Sequence, residues 1–145
     1  MLEAIVLEVK KLDPRAKLPA YVYEGDAGLD FFCLDDCTVP AGKRLAGIRT
    51  GMAIAIPEGY VGLFWDKSGL AANFGLKVMA GVIDAGYRGE IKLTLFNTST
   101  EDYNFKAGDK VMQMLVQAVE RVEVEEVKVL SPSIRGEGGF GSTGK

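Results

Sequence analysis

Two clusters of polar residues in the middle of the chain have the composition needed to act on a phosphorylated substrate. The run Asp66–Leu70 leads into a predicted helix, so its N–H groups and the Lys67 cation could hold a phosphate. The run Gly81–Glu90 places a carboxylate, Asp84, and an aromatic ring, Tyr87, about one turn apart at a predicted hairpin. Taken singly, the two patterns are also consistent with an ordinary helix start and a bare hairpin.

The end of the chain has a different composition from the rest. Residues 131–145 are rich in glycine and contain one Phe and one Ile, so they cannot bury enough apolar area to order themselves. Phe140 lies between glycines, is followed by two hydroxyl residues, and is flanked by Arg135 and Lys145. Such a segment is either a disordered terminus or a binder of a ring and its phosphates, because glycine backbones and cations can surround an anion.

The absence of histidine excludes several classes of enzyme. With no His in 145 residues, the chain cannot form a Ser-His-Asp triad, a Cys-His dyad or a His-ligated zinc site. The net charge, 17 − 20 = −3, argues against binding of long nucleic acid. No apolar run approaches the roughly 18 residues of a membrane span, and the N-terminus alternates charged and apolar residues, unlike a signal peptide. We therefore expect a cytoplasmic protein with no nucleic-acid or membrane partner.

The two cysteines are Cys33 and Cys37. Two thiols without histidine cannot complete the usual four-ligand zinc site by themselves. We interpret them as small, partly buried hydrophobic side chains in a reducing compartment. A disulfide across the short Asp35–Asp36 turn is the alternative.

Short apolar and alternating segments predict one all-β domain, since 145 residues is the size of a single domain. One helix is predicted at Ser68–Phe74, with Ser68 as its N-cap and Gly75 as its stop. Many short strands with turns between them are typical of a β-sandwich or β-barrel. The predicted strands are Leu2–Val9, Leu29–Leu34, Arg44–Ile56, Tyr60–Trp65, Glu90–Phe96, Val111–Val119 and Val122–Leu130.

Five segments occur in the order of the sequence motifs of one enzyme family, and the chain resembles the trimeric dUTP diphosphatases (dUTPases) from Ala27 to its C-terminus. Any one motif could arise by chance, whereas five in order with matching gaps should not. The resembling segments are Ala27–Asp30, Lys67–Ala71, Gly81–Gly89, Gly108–Met114 and Arg135–Gly144.

The resemblance implies an all-β fold, a jelly-roll-like distorted β-barrel over residues 1–130 with one short helix. It further implies a flexible glycine-rich C-terminal arm, residues 131–145, that closes over an active site. The family assembles as a homotrimer with three shared active sites. Each site would take the first, second and fourth motifs from one subunit, the third from a second subunit, and the arm from the third.

The activity implied is hydrolysis of dUTP to dUMP and pyrophosphate, which supplies dUMP for thymidylate synthesis and keeps uracil out of DNA. Asp84 takes the role of general base for the water that attacks the α-phosphorus, and Asp30 organises the site from behind. A carboxylate in an exposed turn is ionised at neutral pH and can accept the proton. Mg²⁺ is the implied cofactor, held by the triphosphate and water with no direct protein ligand.

The implied substrate-binding residues divide by the part of dUTP that they contact. Tyr87 packs on the deoxyribose where a 2′-hydroxyl would need room, and Phe140 stacks over uracil. The main chain of the hairpin reads uracil at Met79, Ala80, Gly81 and Ile83. The phosphates are contacted by Lys67, Ser68, Gly69 and Gln113, and closed over by Arg135, Gly141, Ser142 and Thr143.

Two departures from the family pattern stand out. The second motif usually reads Pro-Arg-Ser, whereas this chain has Asp66 and Lys67 before Ser68. Lysine keeps the charge but loses the bidentate geometry of arginine. Asp66 adds a negative charge near a phosphate site, which is explained only if it pairs with Lys67 or an arginine. Leu29 stands where tyrosine is common, a position interpreted as packing.

Three alternatives remain open at this point. A dCTP deaminase shares the fold, but its site is centred on a glutamate and it lacks the glycine-rich fifth motif. A non-catalytic nucleotide sensor on the same scaffold would bind dUTP without turnover. A sugar-binding jelly roll would fit the strands and explain none of the five motifs.

Overall fold

This computed structural model describes residues 3–144, which contain ten strands and one helix joined by loops. The strands are β1 (Glu8–Lys11), β2 (Leu29–Phe32), β3 (Cys37–Val39), β4 (Arg44–Ala55), β5 (Tyr60–Trp65), β6 (Leu76–Val78), β7 (Val82–Ile83), β8 (Glu90–Asn97), β9 (Tyr103–Phe105) and β10 (Lys110–Ala118). The helix is α1 (Ser68–Phe74). The predicted all-β, jelly-roll-like fold is confirmed.

Two four-stranded sheets enclose the hydrophobic core. One sheet has the order β1-β4-β8-β6 and the other the order β2-β10-β5-β7, while β3 and β9 form a two-stranded ribbon. All of these pairs are antiparallel. Strand β8 shows the predicted alternation, because Ile91, Leu93 and Leu95 are buried in the core while Lys92 faces solvent.

The central strands match the predictions to within two residues, and the short ones do not. Strand β5 has the predicted bounds, β4 and β8 differ by one residue at one end, β10 differs by one residue at both ends, and β2 ends two residues early. The N-terminal strand was predicted to begin at Leu2, which lies outside the described residues. In the structure it begins at Glu8, because Glu8 is the first residue that pairs with β4. Strands β3, β6, β7 and β9 were not predicted, since two or three residues carry no readable alternation.

The prediction of a strand at Val122–Leu130 is wrong for the single chain. Strand β10 ends at Ala118, and every residue of 121–130 is exposed and outside any strand. Alternating valines favour a strand only where a neighbouring strand offers hydrogen bonds, and this segment has no such partner within the described chain. Val124 and Val129 are almost fully exposed as a result.

Helix α1 has the predicted bounds, but its N-cap residue is not the predicted Ser68. Lys67 is the N-cap, with extended backbone and no side-chain capping bond, and Ser68 is the first helical residue. Ser68 cannot cap because its own backbone is already helical. Gly75 ends the helix as predicted, in the left-handed conformation with φ 67°, and its N–H donates to the carbonyl of Ala71 at 3.0 Å.

Both cysteines are free thiols, Cys33 buried and Cys37 half-buried, as the preferred interpretation expects. The Cys33 thiol donates to the carbonyl of Lys106 at 3.1 Å. A hydrogen bond with the Cys37 thiol lowers the pKa of Cys33. Among residues 3–144, no helix is both long enough and apolar enough to cross a membrane.

Candidate active site

The pairing of β10 brings three of the predicted motifs together. Gln113 on β10 lies opposite Asp30 of β2 on one side and opposite Trp65 of β5 on the other. The chain leaves β5 directly into Asp66 and the start of α1, so the residues that follow Trp65 lie beside Gln113. A polar cavity of about 360 Å³ results, the Lys67 cavity, lined by Gly28, Asp30, Lys67, Ser68 and Gln113 together with Val22, Tyr23, Asp26 and Ala27.

A buried carboxylate with two lysines lies at the back of the Lys67 cavity. The Asp30 side chain is only 3% exposed. Its Oδ1 accepts a hydrogen bond from Lys67 Nζ at 2.6 Å, and its Oδ2 forms an ion pair with Lys110 Nζ at 3.3 Å. A carboxylate this buried needs such partners, because the interior solvates charge poorly. Sequence analysis missed Lys110, although its place in the fourth motif, three residues before Gln113, was a usable signal.

The charge of Asp66, which the sequence left unexplained unless it paired with Lys67 or an arginine, is paired with a different lysine, Lys77. Asp66 Oδ2 forms an ion pair with Lys77 Nζ at 3.1 Å, and its Oδ1 accepts the Val78 N–H at 2.5 Å. The side chain therefore ties the start of α1 to β6. The extra negative charge is compensated by Lys77, and Lys67 remains available to Asp30 and to the cavity.

Gly28 is a further residue whose role the sequence did not reveal. The Gln113 side chain lies against its Cα, and a Cβ at this position would overlap the side-chain oxygen of Gln113. Gln113 Nε2 donates to the carbonyl of Asp66 at 2.8 Å, which fixes the amide beside the start of α1. Glycine in the first motif thus allows Gln113 to occupy the wall of the cavity.

Asp84 and Tyr87 line a second cavity, of about 220 Å³, the Asp84 cavity; its lining residues are Val82, Ile83, Asp84, Tyr87, Glu90, Ile91 and Lys92. The backbone turns here, since the Tyr87 N–H donates to the carbonyl of Asp84 at 3.1 Å. The Tyr87 hydroxyl donates to the carbonyl of Glu90 at 3.0 Å, so the ring is fixed over the turn. A Cβ at Gly89 would come within 2.5 Å of that hydroxyl, which explains the glycine at this position.

Glu90 anchors the far side of this turn. Its carboxylate accepts three hydrogen bonds from Arg49, two from Nε at 3.0 and 3.3 Å and one from Nη2 at 3.2 Å. These bonds from the Arg49 guanidinium hold the pKa of Glu90 below its usual value. Glu90 therefore stays a charged partner of Arg49, and Asp84 is the exposed carboxylate that faces the cavity.

The backbone before β7 is held in an uncommon conformation. Ala80 and Gly81 both have positive φ, at 57° and 114°. The Phe64 N–H donates to the carbonyl of Gly81 at 2.8 Å, and the Met79 N–H donates to the carbonyl of Thr94 at 3.1 Å. A non-glycine residue such as Ala80 adopts this conformation only where its surroundings impose it, and such positions concentrate at functional sites.

The predicted arm residues lie apart from both cavities. Phe140 is fully exposed, and Arg135 Nε donates to the carbonyl of Gly138 at 2.7 Å within the segment itself. The Ser142 N–H donates to the carbonyl of Gly139 at 3.1 Å, with Gly141 and Thr143 on either side. None of the described arm residues, 131–144, lines the Lys67 cavity or the Asp84 cavity.

One chain thus presents the predicted site residues in separate groups. Asp30, Lys67, Ser68 and Gln113 share one cavity, with Gly69 adjacent in the first turn of α1. Ile83, Asp84 and Tyr87 share another. The first group can bind an anion, the second offers a carboxylate that can accept a proton, and the arm offers a free aromatic ring.

The known proteins that are similar to this chain are dUTPases. A dUTPase family model matches residues 14–144. The deoxyuridine 5'-triphosphate nucleotidohydrolase of Thermobifida fusca is 48% identical over 141 residues, 95% of this chain and 78% of that protein. The structure of Staphylococcus bacteriophage 80alpha dUTPase with dUPNHPP is similar with a TM-score of 0.89 and 28% identity, over 97% of this chain and 99% of that chain.

A third similar protein is a mutant dUTPase from phage phi11 of S. aureus, whose structure reveals the coordination of a structural Mg(II) ion. It has a TM-score of 0.79 and 27% identity, over 86% of this chain and 97% of that chain. The dUTPase family model covers nearly the whole chain, and the 48% identical relative is named a deoxyuridine 5'-triphosphate nucleotidohydrolase. This protein therefore belongs to the dUTPase family.

Proposed function

We propose that this protein hydrolyses dUTP to dUMP and pyrophosphate by attack of water on the α-phosphorus. The Lys67 cavity carries the proposal, because a cation, a hydroxyl and a side-chain amide converge there on one polar space. Fixed donors of this kind neutralise the charge of a triphosphate. Deoxyuridine triphosphate is the substrate in the name of the 48% identical relative from Thermobifida fusca.

Phosphate binding is assigned to the Lys67 cavity and the helix start. Lys67, Ser68 and Gln113 face the cavity, and the exposed Gly69 leaves room beside Ser68 for the backbone to approach an oxygen. Asp30 acts behind them, because its buried carboxylate holds the Lys67 ammonium at the cavity wall. Lysine is a flexible point charge, so it can follow a phosphate oxygen where arginine would impose a fixed geometry.

Asp84 is assigned as the general base. It is exposed, it lines a cavity, and its backbone position is fixed by the hydrogen bond from the Tyr87 N–H. Its carboxylate would orient the attacking water and accept its proton, while the phosphate-binding donors stabilise the charge that moves to the leaving pyrophosphate.

The discrimination of base and sugar is assigned to the hairpin. The Tyr87 ring, held over the turn by Glu90, would pack on the deoxyribose and leave no room for a 2′-hydroxyl. The main chain at Met79, Ala80, Gly81 and Ile83 would read the uracil edge. The positive φ angles of Ala80 and Gly81 support this role, because a backbone locked in one conformation presents its N–H and carbonyl groups in fixed directions.

Mg²⁺ is proposed as the cofactor, held by the triphosphate and water. The cation, hydroxyl and amide of the Lys67 cavity suit triphosphate oxygens, and an ion bound to those oxygens would enter with the substrate. The bound ion would neutralise charge on the triphosphate oxygens. The related phi11 enzyme has a structural Mg(II) ion.

A homotrimer with shared active sites is proposed as the working assembly. Two features support it: the Lys67 and Asp84 cavities have no lining residue in common, and the exposed ring of Phe140 lies in neither. In this proposal residues 1–130 form the barrel domain, and residues 131–145 form an arm that closes over a neighbouring site. Phe140 would stack on uracil, and Arg135, Gly141, Ser142 and Thr143 would close on the phosphates.

The exposed valines after β10 also support a partner chain. Val122 and Val124 alternate with glutamates, Val127 and Val129 flank Lys128, and all four valines are exposed, so a neighbouring chain would bury apolar surface here. A cytoplasmic setting is proposed for the assembly, since Cys33 and Cys37 are free thiols, the form that a reducing compartment maintains.

A nucleotide panel tests the proposed activity. We expect pyrophosphate release from dUTP and far slower release from dCTP, dTTP and UTP. An unpaired polar edge penalises cytosine, the 5-methyl group penalises thymine, and the 2′-hydroxyl of UTP clashes with the Tyr87 ring. Pyrophosphate and ammonia are both measured for each nucleotide. Ammonia release from dCTP would instead identify a deaminase, and tight dUTP binding with no product would identify a sensor.

Asp84→Asn should remove turnover while dUTP binding stays within about threefold of the wild type, because the amide keeps the shape but cannot accept the proton. A lost general base typically lowers kcat by about 10²- to 10⁴-fold. Single-turnover kinetics and calorimetric binding measure the two quantities. The control is Asp102→Asn, in an exposed loop where the carboxylate only accepts the Ala41 N–H. An Asp84→Asn variant that keeps more than about a third of kcat would contradict the assignment.

Tyr87→Ala should narrow the preference for dUTP over UTP, because it removes the ring that occupies the space of the 2′-hydroxyl. Tyr87→Phe is the matched control: it loses the hydrogen bond to Glu90 but keeps the ring, and should retain most of the preference. The measurement is kcat/KM for both nucleotides in the three proteins. An unchanged ratio in Tyr87→Ala would place ribose selection elsewhere.

Mixed trimers test whether sites are shared between chains. Deletion of Ser133–Lys145 should abolish activity without unfolding the barrel, because this segment makes few contacts with the rest of the chain. Co-expression of this truncated chain with full-length Asp84→Asn should restore a modest fraction of activity. Some sites would then combine an intact Asp84 from one chain with an intact arm from another.

Differently tagged chains and tandem purification verify that the trimers are mixed. If Asp84 and the arm act within one chain, no subunit in the mixture has both, and activity stays at the background of the separate variants. That result would contradict the shared site.

A further inference from the structure

Two lysines form ion pairs with the Asp30 carboxylate, although one positive charge would balance it. Lys67 and Lys110 approach different oxygens of the same group, at 2.6 Å and 3.3 Å. The formal charges of one carboxylate and two ammonium groups add up to −1 + 2 = +1. A single lysine would suffice to compensate the buried negative charge, so the second requires an explanation.

The two lysines are not equivalent in position. Lys67 lines the Lys67 cavity and its side chain is 28% exposed, whereas Lys110 is absent from the cavity wall and its side chain is 46% exposed. Lys110 therefore reaches Asp30 from outside the space where phosphates are proposed to bind. It sits at a register shift between β10 and β2, next to the strand pairing that holds Asp30.

We propose that Lys110 is a positioning residue that compensates the charge of Asp30 when Lys67 moves from this carboxylate to the triphosphate. The inference rests on the proposed function, in which Lys67 contacts phosphate. Without substrate, both lysines neutralise Asp30. With substrate, Lys67 follows the phosphate oxygens and Lys110 remains, so the buried carboxylate is never left without a cation.

The chemistry of lysine fits this exchange. An ammonium on a flexible four-carbon chain can shift between two oxygen acceptors without the fixed geometry that a guanidinium demands. Removing one partner of a buried ion pair is strongly unfavourable. If Lys110 were absent, any movement of Lys67 toward a triphosphate would weaken the last ion pair of Asp30, and dUTP would bind more weakly.

Lys110→Met tests the inference directly, because methionine keeps much of the apolar chain and removes the charge. The probe is dUPNHPP, a dUTP analogue with an imido bridge, and its affinity is measured by calorimetry. We expect its Kd and the KM for dUTP to rise about tenfold, while kcat changes by less than about twofold. Lys110→Arg should restore the affinity to within about twofold of the wild type, because the positive charge returns.

The decisive comparison is made in an Asp30→Asn background, where the carboxylate that needs compensation is gone. If Lys110 acts through Asp30, adding Lys110→Met to Asp30→Asn should change the Kd of dUPNHPP by less than about twofold. An equal loss of affinity in both backgrounds would show that Lys110 contacts phosphate directly, and would overturn the inference. An unchanged Kd in Lys110→Met itself would overturn it as well.

Two controls separate this role from structural effects and from failure of the proposed function. Lys106→Met removes a nearby lysine that pairs weakly with the exposed Asp36, at 3.8 Å, and should leave affinity unchanged. If Lys110→Met does not fold, Lys110→Gln provides a neutral side chain that still donates a hydrogen bond to Asp30. A wild type that neither binds dUPNHPP nor hydrolyses dUTP contradicts the proposed function and not this inference.

Discussion

The burial of one carboxylate determines much of the geometry of this site. Asp30 lies in a strand whose backbone is paired on both sides, with Ala20 and with β10, and its side chain has almost no access to water. A charge in that position must be compensated by partners of opposite charge, and losing one such partner typically costs about 3–5 kcal/mol. The requirement draws Lys67 from the start of α1 and Lys110 from β10 to one point. The wall of the Lys67 cavity follows from that convergence.

The same sheet explains why the second and fourth motifs meet. Strand β10 lies between β2 and β5, so a residue at its middle, Gln113, is opposite the first motif and beside the residues that follow β5. Asp66, which departs from the family pattern, supports this arrangement because it ties the start of α1 to β6 through Lys77 and Val78. The negative charge that looked unfavourable in the sequence is therefore part of the framework and is compensated away from Lys67.

The hairpin that carries Asp84 and Tyr87 is built by a different means. Its geometry comes from the backbone: positive φ at Ala80 and Gly81, the turn between Asp84 and Tyr87, and the hydroxyl of Tyr87 on the Glu90 carbonyl. Such a hairpin presents its carboxylate and its ring in fixed directions without needing a deep pocket. This suits the proposed trimer, in which a neighbouring subunit would provide the phosphate-binding surface that completes the site.

The sequence by itself determined the elements that depend on local patterns and on residue type. The alternation of β8 and the apolar composition of β4, β5 and β10 predicted those strands, and Gly75 predicted the end of α1, because side-chain period and backbone freedom are local properties. The motifs likewise proposed which residues could carry the chemistry, since carboxylates, lysines and hydroxyls keep their chemistry in any fold.

Only the tertiary structure decided which of those residues share a cavity. The second lysine on Asp30, the pairing of Asp66 with Lys77 and the fit of Gln113 against Gly28 all join segments more than ten residues apart, and no local pattern encodes such contacts. The strand predicted at 122–130 also shows that local pattern does not determine tertiary contacts. Its residues have the pattern of a strand, but a strand forms only where a neighbouring strand accepts its hydrogen bonds.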